Sequence, residues 1–319
     1  MPESGALLKP PGEHIVGTVR CNEPLCLHAN WEIGGPADYL LEPASPAQLA
    51  AGLQWIRENS LPFAIIGDGT NILFPDEGFR GAIIKIGRRM SSHRIEGMTI
   101  DAQAGAWIPS LARIAAAAGI GGMEHTIGIP GTLGGLVLMN GGSLRKSIGT
   151  MVRRVWALDR EGNEHQLDHE ECAFEYRKSA LQSNGLIVTR VLLEGTPRDP
   201  GESRREMLDI IRKRRLKFPK KLPNCGSVFI SRPEMYDTYG PPGKIIEETG
   251  LKGTRIGGAM IPDLHANFIV NAGGATAADI KSMVRLVREK VHARTGFWMI
   301  CEVRTLLPDG SFRPVHEVL

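Results

Sequence analysis

Ser227 follows Gly226 in the stretch Pro223-Asn224-Cys225-Gly226-Ser227-Val228-Phe229, where a proline and a turn-type asparagine run into an apolar, strand-like pair. A hydroxyl at the mouth of a strand can donate a proton, accept a hydrogen bond or attack. The small residues beside it leave room for something to approach the backbone. A serine after a glycine is equally an ordinary turn residue. Just upstream lie Arg212-Lys213-Arg214-Arg215-Leu216-Lys217 and then Lys220 and Lys221. That concentration of cations suits a phosphate-bearing ligand.

Two glycine-rich turns could serve the same chemistry. Gly67-Asp68-Gly69-Thr70-Asn71 directly follows the apolar run Phe63-Ala64-Ile65-Ile66. Successive backbone N–H groups in such a turn form a concave anion site. In Gly128-Ile129-Pro130-Gly131-Thr132-Leu133-Gly134-Gly135, Thr132 is placed to cap a helix whose N-terminus receives a phosphate. Together the two turns could hold a pyrophosphate from two sides; singly, each could be no more than a turn.

Several familiar chemistries are excluded. No G-x-G-x-x-G follows a strand and no G-x-x-x-x-G-K-[ST] occurs, so neither a Rossmann nor a P-loop fingerprint is present. Gly243-Lys244 lacks the leading glycine, where Thr238 stands, and the hydroxyl, where Ile245 stands. No G-x-S-x-G elbow supports a hydrolase nucleophile. The nine histidines form no metal pattern, and His125 and His265, in apolar surroundings, read as hydrogen-bonded core residues. Arg177, in Tyr176-Arg177-Lys178-Ser179, could be a surface salt-bridge residue. Glu302 lies in a mostly apolar segment, where an unpaired carboxylate is costly. It is a candidate for pairing or proton chemistry, although alternation could equally place it on a solvated face.

The elements that must position these residues follow from periodicity and punctuation. Residues 1–30 read as an irregular lead-in, and Ala37–Leu41 as a strand after the Gly34-Gly35-Pro36 turn. Ser45-Pro46 starts a helix with Leu49, Leu53 and Ile56 on one face. Strands at 62–66 and 82–86 complete an α/β rhythm over residues 37 to 90. A second unit holds a strand at 98–104, a helix at 109–118 ended by Gly119, and strands at 152–158 and 186–193. Turn residues at 195–200 mark a domain boundary. Beyond it come a charged helix (202–215), the Ser227 strand, a helix from Gly243, and a long helix with Ile280, Val284, Val287 and Val291 on one face, ended by Gly296. Phe297–Leu307 reads as the closing strand, carrying Glu302 and Arg304.

Composition narrows the class. A chain of 319 residues has room for two or three domains, and 42% hydrophobic with 23% charged residues is ordinary for a soluble protein. A net charge of +3, with the basic run confined to one stretch, argues against nucleic acid. Glycine, at 38 residues, exceeds the usual share of about 7% and points to close backbone approaches to a ligand. The five cysteines, Cys21, Cys26, Cys172, Cys225 and Cys301, are odd in number and widely spaced, as in reduced thiols of a cytosolic protein. The first residues have no secretory pattern, and no apolar run of about 18 residues spans a membrane.

The motifs in order resemble the UDP-N-acetylenolpyruvoylglucosamine reductase (MurB) family over about Asn30 to Leu307. They are Ile33-Gly34-Gly35-Pro36-Ala37-Asp38, the two glycine turns, Tyr176-Arg177-Lys178-Ser179, Asn224–Phe229, Gly250-Leu251-Lys252-Gly253, Arg255–Ala259, His265–Asn271 and Glu302-Val303-Arg304. The short segment between Phe229 and Gly243 resembles the subgroup without a long tyrosine loop, although Tyr236 and Tyr239 lie in it. Glu32, Asn140-Gly141-Gly142-Ser143-Leu144-Arg145 and Cys301 depart from the family's usual residues.

The resemblance implies an α+β fold: a two-subdomain FAD-binding region of the vanillyl-alcohol-oxidase (PCMH) type over 31–197, split near residue 90, then an α+β substrate-binding domain over 198–319. It implies FAD held by Gly67, Asp68, Gly69, Thr70, Asn71, Ile129, Pro130, Gly131, Thr132, Gly135, Asn140, Gly141 and Ile187, and NADPH as the hydride source. It implies Ser227 as proton donor, with Arg177 and Glu302 stabilising an enolic intermediate of a UDP-sugar substrate. Arg214, Lys217 and Lys252 would bind that substrate's diphosphate or carboxylate. No metal is implied, and a cytoplasmic monomer is expected. Another FAD oxidoreductase of the same fold, or a flavin-free nucleotide-sugar-binding protein, are the alternative readings.

Overall fold

The computed structural model describes residues 7–319. Residues 1–6, part of the expected lead-in, lie outside the described residues. The chain packs as two units. One comprises the chain up to Cys21, Tyr39–Asp68 and Ala82–Arg214; the other comprises Asn22–Asp38, Gly69–Gly81 and Arg215–Leu319.

The first unit is built on an α/β layer and an antiparallel sheet. Ser45 caps the helix Pro46–Glu58 by accepting from the Gln48 N–H at 3.2 Å, with proline at the first helical position. Leu49, Leu53 and Ile56 are buried along one face, as their spacing predicts. The helix joins strand Pro36–Glu42 to strand Phe63–Ile66, which pairs in parallel with Ala82–Lys85. The four-stranded sheet runs Thr18–Pro24, Pro36–Glu42, Phe79–Lys85, Phe63–Ile66. A five-stranded antiparallel sheet follows, in the order Glu164–Asp168, Val152–Leu158, Ile187–Glu194, Thr99–Gln103, His93–Glu96. The helix Leu133–Leu138 packs against it; the alanine-rich helix Ile108–Ala117 packs on Ile120–Gly121 and the turn Glu124–Thr126 and stops before Gly119, at φ 74°.

The second unit is organised by the helix Ala277–Thr295. Thr276 and Asp279 form a capping box at its start, and Gly296 takes the left-handed conformation at its end. Asp76 adds a second cap, accepting from the N–H groups of Ala277 and Ala278 at 2.7 and 3.2 Å. Ile280, Met283, Val284, Val287 and Val291 face a core that includes Trp31, Val228, Phe229, Ile246 and Val303. Two small sheets complete it: Arg255–Ile256, Ala259–Met260, Val270–Asn271, and Phe312–Pro314, Arg304–Leu306, Ile72–Leu73. Among the described residues no helix is long and apolar enough to cross a membrane.

Three expectations of local structure are corrected. Residues 7–30 are not irregular: they hold the short helix Glu13–Val16 and the strand Thr18–Pro24. That strand is an edge strand of mostly exposed Arg20, Cys21, Asn22 and Pro24, so it carries no apolar alternation to read. The turn-rich 195–200 keeps contact with the first unit on both sides. Thr196–Pro197 pairs with Ile120–Gly121, and the helix Pro200–Lys217 buries Met207 and Ile210 in the first unit's core. The Ser227 segment is extended but makes isolated bridges at Asn224 and Phe229 rather than a strand. The closing strand is limited to Arg304–Leu306, because the chain changes hydrogen-bonding partner at Glu302, where it bends.

Candidate active site

Ser227 is held by the residues on either side of it. The Asn224 side chain accepts from the Gly226 N–H at 3.0 Å, a local turn that Gly226 completes at φ 78°. The Val228 N–H donates to the Asn267 carbonyl at 2.9 Å. The Asn267 side chain accepts from the Phe229 N–H and donates to the Phe229 carbonyl, both at 3.0 Å. Val228 and Phe229 are buried, whereas Ser227 is half-buried and its hydroxyl sits on a fixed backbone. Asn267 is a positioning residue that the sequence does not single out; its place within the His265–Asn271 motif is the one signal it leaves.

Glu302 is tied to the same segment. Its N–H donates to the Val228 carbonyl at 2.8 Å, and its carbonyl accepts from the Asn71 side-chain amide at 3.2 Å. The Arg304 N–H then donates to the Asn71 carbonyl at 3.2 Å, where Ile72–Leu73 pairs in parallel with Arg304-Thr305. The half-buried Glu302 is thus set between the Ser227 segment and the end of the first glycine turn. Beneath it Cys225 and Cys301 are buried, and burial pushes each thiol up to about 12, so both stay neutral and inert.

In the first unit, Arg177 sits at the third position of the turn Glu175–Lys178, whose ends exchange two backbone hydrogen bonds of 3.1 Å. Its φ of 57° belongs to the left-handed region that favours glycine or asparagine in such a turn. An arginine stays in that conformation only where surrounding contacts enforce it. Its guanidinium donates to the Gly142 carbonyl at 3.0 Å. Gly142 has no room for a side chain: a Cβ there would collide with the Lys146 carbonyl.

The two glycine turns meet inside the first unit at Gly67 and Thr132, where a Cβ on Gly67 would collide with the Thr132 hydroxyl. Thr132 caps the helix Leu133–Leu138, accepting from the Gly135 N–H at 3.4 Å, as its sequence position predicts. The main chain around it is fixed by the Trp107–Thr132 bridge and by the Ile108 N–H on the Gly131 carbonyl at 3.0 Å. Burial pushes the Asp68 carboxyl up, and the Lys85 and Arg88 cations partly offset it. Backbone N–H groups of a glycine turn beside a capped helix start are the kind of surface that can hold a diphosphate.

The remaining candidates take varied positions. Asn140 is buried, at φ 41°, with its side chain bonded to the Glu175 carbonyl and the Gly149 N–H. Ile187 starts the strand Ile187–Glu194, and its side chain joins the core. Arg214 lies against Gly128, where a Cβ would collide with its side chain, and burial lowers its affinity for the proton. In the second unit Lys217 is exposed, and Lys252 pairs with Glu247 at 2.7 Å. Near them His265 packs with Phe218 and Phe268 at 5.4 and 4.9 Å. Its pKa is lowered, first by burial, with Lys252 and Lys217 pushing the same way. Among the described residues no cluster of three or more His, Cys, Asp or Glu could hold a metal ion.

Comparison with known proteins decides the family. The family model described as an FAD binding domain matches residues 37–168, and that of the UDP-N-acetylenolpyruvoylglucosamine reductase C-terminal domain matches residues 218–306. The chain is 47% identical over 290 residues to UDP-N-acetylenolpyruvoylglucosamine reductase 1 of Corynebacterium glutamicum, covering 91% of this chain and 87% of that protein. The chain belongs to the UDP-N-acetylenolpyruvoylglucosamine reductase family. The reductase of Moorella thermoacetica is 40% identical over 285 residues, covering 89% and 92%. The crystal structure of the reductase (MurB) from Thermus caldophilus superposes with a TM-score of 0.76 at 32% identity, covering 90% of this chain and 98% of that one. The α+β class with an FAD-binding region, expected from the motifs, is borne out by the family's fold.

Proposed function

We propose that the chain is an NADPH-dependent flavoenzyme that reduces the enolpyruvyl group of UDP-N-acetylglucosamine enolpyruvate to give UDP-N-acetylmuramate, a step of peptidoglycan precursor synthesis. What carries this reading is full-length kinship to reductases of that name, together with the hydrogen bond from Glu302 to Val228 that ties a carboxylate to the serine segment. FAD-binding and substrate-binding roles are assigned to residues 31–197 and 198–319. FAD would be held by Gly67, Asp68, Gly69, Thr70, Asn71, Ile129, Pro130, Gly131, Thr132, Gly135, Asn140, Gly141 and Ile187. Asn140 and Ile187, whose side chains are engaged within the protein, would contribute through the main chain.

FAD, when bound, supplies the hydride chemistry between NADPH and the substrate. The chain's own residues manage charge and protons. Hydride addition at the β-carbon leaves negative charge on the carbon conjugated to the carboxylate; Arg177 and Glu302 stabilise that enolic charge, and the Ser227 hydroxyl donates its proton to the α-carbon. A neutral serine is a poor acid in water and depends on this electrostatic help. Arg214, Lys217 and Lys252 would engage the substrate's diphosphate or carboxylate as cations. Action as a cytoplasmic monomer belongs to the same reading.

The test is an assay of the purified protein for bound flavin and for NADPH oxidation with and without UDP-N-acetylglucosamine enolpyruvate. Bound FAD with substrate-dependent oxidation is the expected result. Flavin without that turnover would redirect the reading to another substrate.

A further inference from the structure

Asn140 makes two hydrogen bonds through one side chain. Its Nδ2 donates to the Glu175 carbonyl at 2.7 Å, and its Oδ1 accepts from the Gly149 N–H at 3.0 Å. Glu175 is the first residue of the turn that holds Arg177. Gly149 closes the loop that begins at Gly141 and contains Gly142, the acceptor of the Arg177 guanidinium. A single amide therefore fixes both sides of the Arg177–Gly142 hydrogen bond: the backbone that carries the donor and the backbone that presents the acceptor.

Three further observations support this. Asn140 is 4% exposed, so its bonds are shielded from competing water. Gln182 clamps the same turn from another direction, donating to the Arg177 carbonyl and to the Leu138 carbonyl, both at 3.0 Å. Leu138 lies two residues before Asn140, so turn and loop are tied to the same helix end. Finally, Asn140 and Arg177 both hold positive φ, 41° and 57°, conformations that surrounding contacts must enforce.

We infer that Asn140 is a positioning residue for Arg177, acting through the Glu175 turn and the Gly142 loop, an inference that rests on the role proposed for Arg177. It predicts a selective defect. Asn140→Asp keeps the acceptor for Gly149 and replaces the donor to Glu175 with a carboxylate oxygen facing a carbonyl. Displacement of the guanidinium by about 1 Å is enough to slow a reaction on the order of 10²-fold.

The experiment separates the two half-reactions of the holoenzyme in stopped flow, for Asn140→Asp, Arg177→Ala and the double variant. Expected is reoxidation by enolpyruvyl substrate slowed about 10- to 100-fold more than flavin reduction by NADPH. In the Arg177→Ala background Asn140→Asp should add little further loss, because its effect runs through the missing guanidinium. Equal losses in both backgrounds, or a flavin spectrum that shifts with normal reoxidation, would overturn the inference alone. Normal turnover of Arg177→Ala by itself would overturn the role of Arg177 and the inference with it. Should Asn140→Asp fail to fold, Gln182→Leu removes the other clamp and must give the same selective, non-additive pattern.

Discussion

The side-chain amide of Asn71 donates to the Glu302 carbonyl at 3.2 Å across 231 positions of sequence. Through it, the last residue of a glycine turn holds the bend that presents a carboxylate. Asn71→Asp would set a carboxylate oxygen against that carbonyl. Leaving a part-buried carbonyl without its donor costs about 1–3 kcal/mol, so a lower denaturation midpoint is expected, together with slower substrate reduction. A variant with unchanged midpoint and unchanged turnover would show that the bond holds nothing in place.

Ser227→Ala removes the hydroxyl and leaves the bonds of Val228 and Phe229 to Asn267 intact. Reduction of the flavin by NADPH should proceed normally, while reduction of the enolpyruvyl group slows by roughly 10²–10⁴-fold, the usual worth of a placed proton donor. Rapid-mixing measurement of the two half-reactions checks this. Full turnover by the variant would remove Ser227 from the mechanism.

Gly67→Ala forces a Cβ onto the Thr132 hydroxyl. The expected outcome is loss of flavin during purification and a higher dissociation constant for FAD, measured by fluorescence quenching. Thr132→Ala in the same chain frees space but removes a helix cap worth about 1 kcal/mol, so the double variant should recover part of the FAD affinity with lower stability. An FAD affinity unaffected by Gly67→Ala would contradict the placement of the cofactor at this turn.

Acid should weaken the fold through its buried histidines. His125 is 2% exposed, with Nδ1 3.0 Å from the Gly122 carbonyl, and burial lowers its pKa against the support of that carbonyl. Lys146 pushes the same way, whereas Glu124 and Glu206 oppose. Burial likewise lowers His265 and His316. The folded state therefore binds these protons less well than the unfolded chain, whose histidines titrate near about 6.5. The stabilisation is present in full above that value and is lost as pH falls from it through the depressed folded values. Melting temperature should fall between pH 7.5 and 5.5, and fall less in His125→Gln; identical slopes for both proteins would exclude His125 as a source.

Much of this was legible in residue order. Ser45-Pro46, the glycines after the helices ending at 117 and 295, and the apolar face of Ala277–Thr295 each carry a local physical signal, and the structure follows them. The motif residues Ser227 and Glu302 could be named from the sequence, but not the bond between Glu302 and Val228 that relates them. Edge strand Thr18–Pro24 has no buried face to impose alternation, and Glu302 bends because its neighbours answer to two different strands. The division of the chain was hidden for a related reason: residues 22–38 and 69–81 pack with the C-terminal third, a long-range choice that no local pattern announces.

The pairing of Ile72–Leu73 with Arg304–Leu306 also sets an order of events during synthesis. All of the first unit has been translated by Arg214, so it can begin to fold while the ribosome is still adding residues. The strand Ile72–Leu73 must wait for a partner more than 200 residues further along the chain. Until then that strand edge has no partner in the chain, and an unpaired strand edge is a template for aggregation.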